Sequence, residues 1–229
     1  MTVYANMDVS TLTQIPFLER KVETLIVQEE NALIDYHIQL ALEAQQRVYI
    51  LAPAIEESLT GKQTVDALFH MYQTKYPTQV AMMHGRLKPE EKEAIFSEFA
   101  QGKKPILVST TVIEVGLDVK EATLMIIHDA NTFGLATLHQ LRGRIGRDGS
   151  PATCLLVVQE ENLFDHERLN VLMKTNDGFV IAEHDLALRG PGEIFGERQA
   201  GMPSFHVLNL VKDHKIIEAV RKFMHPHLL

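Results

Sequence analysis

The sequence predicts an α/β fold in which helices cover a parallel sheet, and three observations lead to it. Apolar runs of strand length alternate with helix-length segments through residues 23–158, the pattern of successive strand–helix–strand units. The chain has 229 residues, 45% of them hydrophobic, which is enough to bury a full core. Its one cysteine, Cys154, lies inside the apolar run Ala152-Thr153-Cys154-Leu155-Leu156-Val157-Val158. A disulfide or a zinc cluster therefore has no partners to draw on, and Cys154 reads as a buried structural thiol.

Taken in order, an irregular opening to about Lys21 precedes a strand at 23–27, a helix at 31–46 and a strand at 48–52. A helix at 64–75, a strand at 80–83, a helix at 89–100 and strands at 106–109 and 124–128 follow. The helix start at Lys88-Pro89-Glu90-Glu91-Lys92 is well marked. Proline suits a first helical position, which lacks a backbone partner anyway, and carboxylates there oppose the positive end of the helix dipole. The apolar stretch 133–141 reads as helical, and 152–158 as the last sheet strand. From Glu160 onward the pattern becomes helical, at 164–174 and 180–188, before the turn chemistry of Arg189-Gly190-Pro191-Gly192-Glu193. A domain boundary is expected near residue 160, giving domains of 1–160 and 161–229. Beyond Lys212 one more amphipathic helix stops abruptly, so both ends read as cut.

The formal net charge of −8 argues against a generic basic nucleic-acid coat, so any phosphate contact must come from a local positive patch. No basic segment followed by an apolar core opens the chain, and no run is long enough to span a bilayer, so a cytoplasmic protein is expected. His128, His139 and His166 show no metal-ligand spacing and read as surface or cleft residues, with no metal site.

Two segments concentrate the chemistry. Residues 140–147 read Gln140-Leu141-Arg142-Gly143-Arg144-Ile145-Gly146-Arg147. Three permanently charged planar forks suit phosphate oxygens, and the glycines allow close backbone approach. Upstream, Thr110-Thr111-Val112-Ile113-Glu114-Val115-Gly116-Leu117-Asp118 follows the strand-like run 106–109, and strand ends in open α/β sheets are where ligands sit. On chemistry alone the arginines form either a solvated positive loop or a phosphate-handling site, and Glu114 and Asp118 are either turn residues or ligand contacts. His84-Gly85-Arg86, with Lys88 ahead of the Pro89 helix, is either an ordinary loop or an anion site at a helix N-terminus.

Together these motifs resemble the second motor lobe of superfamily 2 helicases, a RecA-like sheet sandwiched by helices. The resemblance implies that Arg144 and Arg147 reach across a cleft to ATP held by the other lobe, neutralising charge on the γ-phosphate, while Gln140 senses the same phosphates. It implies DNA-phosphate contacts from Thr110, Thr111, His84, Gly85, Arg86 and Lys88. Gly116 and Asp118 would approach the nucleotide ribose, and Glu114 would couple the two sites. Arg142, at a less uniform position, either holds the motif to its own lobe or touches DNA.

The tail narrows the resemblance. Glu167-Arg168-Leu169, Asn176-Asp177-Gly178-Phe179-Val180-Ile181-Ala182, Asp185-Leu186, Arg189-Gly190-Pro191-Gly192-Glu193 and Gly196 with Gln199 look like the translocation motif of the RecG family of bacterial DNA helicases. That motif is a helical hairpin and hook loop, with Arg168, Arg189 and Gln199 matching the residues that hold it. The transcription-repair coupling factor carries similar motifs and is the alternative. Ile55-Glu56-Glu57-Ser58 and Pro191 favour the RecG type. An alternative of another class is a non-catalytic DNA- or protein-binding module that has kept the motor fold.

The resemblance implies an ATP-dependent helicase or translocase on duplex or branched DNA, remodelling stalled replication forks and Holliday junctions in recombination and repair. ATP and Mg²⁺ are its implied cofactors, and a first motor lobe and a wedge domain of the same polypeptide its partners, in a monomer. No Gly-x-x-x-x-Gly-Lys-Ser/Thr loop and no Asp-Glu pair after an apolar strand occurs in the chain. Mg-ATP would be bound mainly by that other lobe. The purified 229-residue chain is therefore expected to hydrolyse ATP only at background; turnover at the speed of a working motor would overturn this.

Overall fold

The computed structural model describes residues 21–53, 64–111, 119–159 and 163–189, with the side chains of 163–166, 186, 188 and 189 left aside. Six strands, β1 (Val22–Gln28), β2 (Arg47–Leu51), β3 (Val80–Met83), β4 (Ile106–Ser109), β5 (Ala122–Ile127) and β6 (Ala152–Val158), form one sheet in the order β1-β6-β5-β2-β4-β3. Every pairing is parallel. The helices are α1 (Ala32–Glu43), α2 (Val65–Lys75), α3 (Pro89–Ala100), α4 (Leu135–Arg142), α5 (Leu163–Lys174) and α6 (Gly178–Arg189).

The side-chain period of two sorts the core into two layers. Val48 and Ile50 of β2 join Ile34, Ile38, Leu68 and Tyr72 in the layer under α1 and α2. Tyr49 and Leu51 join Phe99, Leu135, Leu138, Leu141, Leu169 and Leu172 in the layer under α3, α4 and α5. Helices on both faces explain why β2, β4, β5 and β6 read as continuous apolar runs. Cys154 is fully buried, as expected, and burial pushes its thiol up to about 12.

Local chemistry sets the helix starts. Asn31 accepts from the Leu33 backbone N–H at 2.9 Å and Thr64 from that of Ala67 at 3.1 Å, each satisfying a donor that the first turn leaves unpaired. Arg47 holds the other end of α3, donating to the carbonyls of Phe99 at 2.9 Å and Ala100 at 3.2 Å, a favourable place for a cation.

The compact unit runs from Leu18 to Ile181, and α5 packs against β1 and α4 within it, completing the sheet's second face. One expectation is corrected. His128 is not a surface or cleft residue: it follows β5 with 1% exposure. Its Nε2 lies 3.0 Å from the Tyr72 hydroxyl. Burial drives the Tyr72 pKa well up, so the hydroxyl keeps its proton and donates, leaving the imidazole proton on Nδ1. Glu29 Oε1 is 4.0 Å from Nδ1, too far for a hydrogen bond.

Burial lowers the His128 pKa from 6.5 to about 4. A folded pKa below the unfolded one means the unfolded chain takes up a proton first. The contribution is therefore fully present above the unfolded value and falls away towards the folded one, by about 1.4 kcal/mol per pH unit. Urea unfolding of the chain should show about 2 kcal/mol of this loss between about pH 7 and about pH 5. His128→Gln should remove that portion; an unchanged loss in the variant would refute the assignment.

Candidate functional site

Because all six strands run the same way, the loops that follow them share one edge and the loops that precede them share the other. His84 to Lys88 follows β3, Thr110-Thr111 follows β4, and His128-Asp129 follows β5. These segments line the C-terminal edge, where open α/β sheets present their ligand sites.

The arginine motif lies at the opposite edge. α4 starts beyond the end of β5 and runs back along the sheet, so Gly143, Arg144 and Arg147 come next to the starts of β5 and β6. The Gly146 N–H donates to the carbonyl of Ala122, the first residue of β5, at 2.9 Å. Gly146 has φ +62°, and a β-carbon there would stand 2.9 Å from Ala152 Cβ and 3.0 Å from the Ser150 carbonyl oxygen. Only glycine fits this turn. At about 3.3 Å per residue, the six residues of β5 set the two edges about 20 Å apart.

Arg144 and Arg147 are half-buried and Gln140 is exposed on α4. Arg147 Nε donates to the Gly143 carbonyl at 3.2 Å, which folds the side chain back over its own loop. The next turn is closed by Asp148, whose carboxylate accepts from the Ser150 N–H at 2.9 Å and the Ser150 hydroxyl at 2.8 Å. Those bonds lower the Asp148 pKa, keeping an anion beside the arginines.

Arg142 differs from its neighbours. It is buried, at 3% exposure, and its guanidinium donates to Thr24 Oγ1 at 3.3 Å, to the Leu172 carbonyl, to the Thr175 carbonyl at 3.1 Å and to His139 Nδ1 at 3.0 Å. Of the two roles open to it, the geometry gives the one of holding the motif to its own lobe. His139 is half-buried, and burial, then the Arg142 charge, lower its pKa, against an opposing pull from Asp177.

At the C-terminal edge, Thr110 is buried, Thr111 and His84 are half-buried, and Gly85, Arg86 and Lys88 are exposed. The helix-start reading of this loop needs a correction. Glu91 Oε2 accepts from the Lys88 N–H at 2.8 Å, so the helix's own carboxylate fills the position where an anion would sit. Lys92 Nζ donates to the Gly85 carbonyl at 3.0 Å. Gly85, Arg86 and Lys88 stay exposed at this edge. Ser109 Oγ and His84 Nδ1 are buried here without hydrogen-bond partners.

Glu114, Gly116 and Asp118 lie outside the described residues, as do Gln199, Ile55-Glu56-Glu57-Ser58, the side chains of Arg189 and His166, and the helix expected beyond Lys212. The residues flanking the first group are informative. Thr111 follows β4 at the C-terminal edge, and the carbonyls of Val119 and Glu121 accept from Ala122 and Arg47 at the other. Arg168 of α5 donates to the carbonyls of Phe133 at 2.8 Å and Asn131 at 2.6 Å, just ahead of α4. Among the described residues no group of three His, Cys, Asp or Glu is placed to hold a metal ion, and no helix is long and apolar enough to cross a membrane.

The sequence reading missed the depth of Arg142 and His128. For Arg142 a signal existed: it stands seven residues after Leu135 and four after Leu138, on the same helix face.

Comparison with known proteins agrees with this architecture. The helicase conserved C-terminal domain family matches residues 29–149, and the C-terminal part of domain 3 of ATP-dependent DNA helicase RecG matches residues 175–227. The ATP-dependent DNA helicase RecG of Bacillus subtilis (strain 168) is 39% identical over 229 residues, covering 97% of this chain and 33% of that protein. RecG of Staphylococcus epidermidis is 38% identical, covering 96% and 33%. The chain thus spans about a third of the length of the curated relatives it matches. A solved structure of RecG bound to a three-way DNA junction matches with a TM-score of 0.67 at 39% identity, over 90% of this chain and 27% of that one. The yeast DEAD-box splicing factor Prp28 shares the fold, with a TM-score of 0.54 at 18% identity over 82% of this chain and 40% of its own. Between the two families with similar motifs, the matches therefore fall to RecG. The chain belongs to the helicase conserved C-terminal domain family and, within it, to the RecG type.

Proposed function

We propose that this chain is the second motor lobe and translocation hairpin of an ATP-dependent translocase on double-stranded DNA, which remodels stalled replication forks and Holliday junctions. The observation that carries the reading is the separation of two chemistries on one rigid sheet. The arginines occupy the edge where β1, β5 and β6 begin, and the threonine and histidine loops occupy the edge where β3 and β4 end. A lobe so built can hold nucleotide with one edge and a DNA backbone with the other. The match to RecG bound to a three-way DNA junction supports branched DNA as the substrate.

In this mechanism Arg144 and Arg147 engage the phosphates of ATP held by another lobe of the same polypeptide and draw the lobes together. They neutralise the charge that builds on the transferred phosphoryl group, and Gln140 reports its presence. Gly116 and Asp118 meet the ribose. Thr110, Thr111 and the loop from His84 to Lys88 grip backbone phosphates, which carry no sequence information, so movement is indifferent to sequence. Glu114 links the two edges along the segment between Thr111 and Val119. Residues 161–229 form the translocation module, with Arg168, Arg189 and Gln199 holding it to the motor. The arginine pair suits a triphosphate; Mg²⁺, which would supply charge neutralisation between the phosphates, falls to carboxylates of the other lobe.

Arg147→Ala in the full-length protein tests the reading. DNA-stimulated ATP turnover should fall by about three powers of ten with DNA affinity unchanged. Turnover absent from the wild type, or indifferent to the substitution, would favour a binding module instead. Arg86→Ala with Lys88→Ala should weaken binding equally across DNA sequences and lower the salt dependence of affinity by about one to two contacts. A sequence-selective loss would refute the phosphate role.

A further inference from the structure

We propose that the outward face of α1, with the groove at its C-terminal end, is a docking surface for a basic amphipathic helix of a partner protein. A helix on the surface of a domain keeps its apolar residues to one stripe, but α1 has two. Ile34, Ile38 and Ala41 are buried against the sheet, whereas Leu33, Tyr36 and Leu40 have 42%, 54% and 44% of their surface exposed. Those three stand at positions i, i+3 and i+7, which a helix brings into line on one face. The Tyr36 ring lies edge-on to His37, with centroids 5.5 Å apart, and exposed tyrosines so placed are frequent interface anchors.

The stripe continues into a groove of about 340 Å³, where Leu40 and Ala44 of α1 face Leu124, Pro151 and Thr153 at the starts of β5 and β6. Two polar groups of its lining answer each other: Thr123 Oγ1 donates to Gln46 Oε1 at 2.6 Å. The groove therefore offers shape and apolar area rather than the convergent polar groups of a small-molecule site. At 1.5 Å per residue, Leu33 to Ala44 runs about 16 Å, or about three helical turns. That length suits a helix laid along α1 with its own apolar side chains directed into the groove.

Charge selects the occupant. α1 contains Asp35 and Glu43 but no lysine or arginine, and Glu30 precedes its cap. Across the groove, Glu23 of β1 is exposed and in register with Thr153, so its side chain leaves the same face of the sheet. Against these acids stand Lys21, ahead of β1, and Lys75 of α2, whose ammonium Asp35 holds at 2.8 Å. A second copy of the chain would bring acids against acids here, and an anionic lipid surface or a nucleic acid would be repelled. A helix with apolar anchors along one face and lysine or arginine on its flanks matches both the stripe and its rim. α1 lies on the side of the sheet opposite α4, so its outward face can be altered without touching the support of the arginine motif.

Two synthetic helical peptides test this on the full-length protein. Each carries leucine at i, i+3, i+4 and i+7; one has lysine at the remaining positions and the other glutamate. Fluorescence anisotropy should show the lysine peptide binding at least about tenfold tighter than the glutamate peptide, with an affinity that falls as salt rises. Its binding should slow backbone hydrogen exchange in 32–44 and 151–153. Tyr36→Ser with Leu40→Ser should weaken the lysine peptide at least about tenfold, while DNA-stimulated ATP turnover and thermal melting stay at wild type. Equal binding of the two peptides, no binding, or binding indifferent to the double substitution overturns the inference. Self-association or capture on anionic vesicles that the double substitution abolishes also overturns it, because either assigns the face to another occupant. Loss of turnover in a folded variant would make the face part of the motor and overturns it as well. If the doubly substituted protein does not fold, peptide protection that maps away from α1 in the wild type is sufficient to overturn it.

Discussion

A parallel sheet buried on both faces leaves chemistry nowhere to go but its edges. The side chains of β2, β4 and β5 fill two apolar layers and expose almost nothing, so no ligand reaches a strand from the side. With every strand pointing the same way, the two edges are unlike each other: one is made of loops leaving strands, the other of loops entering them. The arginine motif and the threonine loop are 29 residues apart at their nearest, from Thr111 to Gln140, yet the sheet sends them to opposite edges. On the proposed function, that separation lets one lobe answer a nucleotide and a DNA backbone at once, with the length of a strand between them.

Among the polar residues buried in this apolar construction, His128 and Arg142 are handled in opposite ways. His128 is kept neutral: one hydrogen bond from Tyr72 satisfies Nε2, Nδ1 goes without a partner, and burial suppresses the charge. Arg142 stays charged and is given acceptors, chiefly backbone carbonyls at the C-terminal end of α5, where carbonyls lack partners and the helix dipole favours a cation. Truncating that side chain would strand both carbonyls in the interior at about 1–3 kcal/mol each. The same economy joins α5 to the lobe through Arg168, again onto carbonyls that precede a helix. These helices thus belong to the lobe by polar closure as well as by the burial of Leu169 and Leu172.

Much of this was legible from the sequence, because local rules and tertiary packing agree along most of the chain. The strands at Val80–Met83, Ile106–Ser109 and Ala152–Val158 and the helix at Pro89–Ala100 have the expected bounds; apolar runs and a proline at the first helical position leave little freedom. Where the reading failed, the deciding contact was long-range. His128 looked like a polar residue closing an apolar run, and only the position of Tyr72, 56 residues away, makes its burial tolerable. Lys88 looked like the lip of an anion site until Glu91 turned back to cap the helix, a competition between an internal carboxylate and a ligand that residue types alone do not decide. The change of pattern from strand to helix near residue 160 is real, and α5 beyond it helps to cover the sheet's second face.

The two edges also differ in how their loops are bonded, and the proposed function gives that difference a use. A group that stabilises charge in a transition state must be held to a fraction of an ångström, since a misplacement of about 1 Å can cost two powers of ten in rate. The arginine loop is accordingly bound at every turn: Gly146 is pressed against the start of β6 and bonded to β5, Asp148 is closed by Ser150, and Arg142 is bolted inward. A grip on DNA phosphates must instead release and re-form on a backbone of variable local shape. The loop from His84 to Lys88 carries Gly85, Arg86 and Lys88 exposed, and is closed by the Leu87 N–H on the His84 carbonyl, the Lys88 N–H on Glu91 and Lys92 on the Gly85 carbonyl. On the proposed reading, a firmly bound arginine loop at one edge and an exposed basic loop at the other suit a stepping motor, and both follow from which end of a strand each loop is attached to.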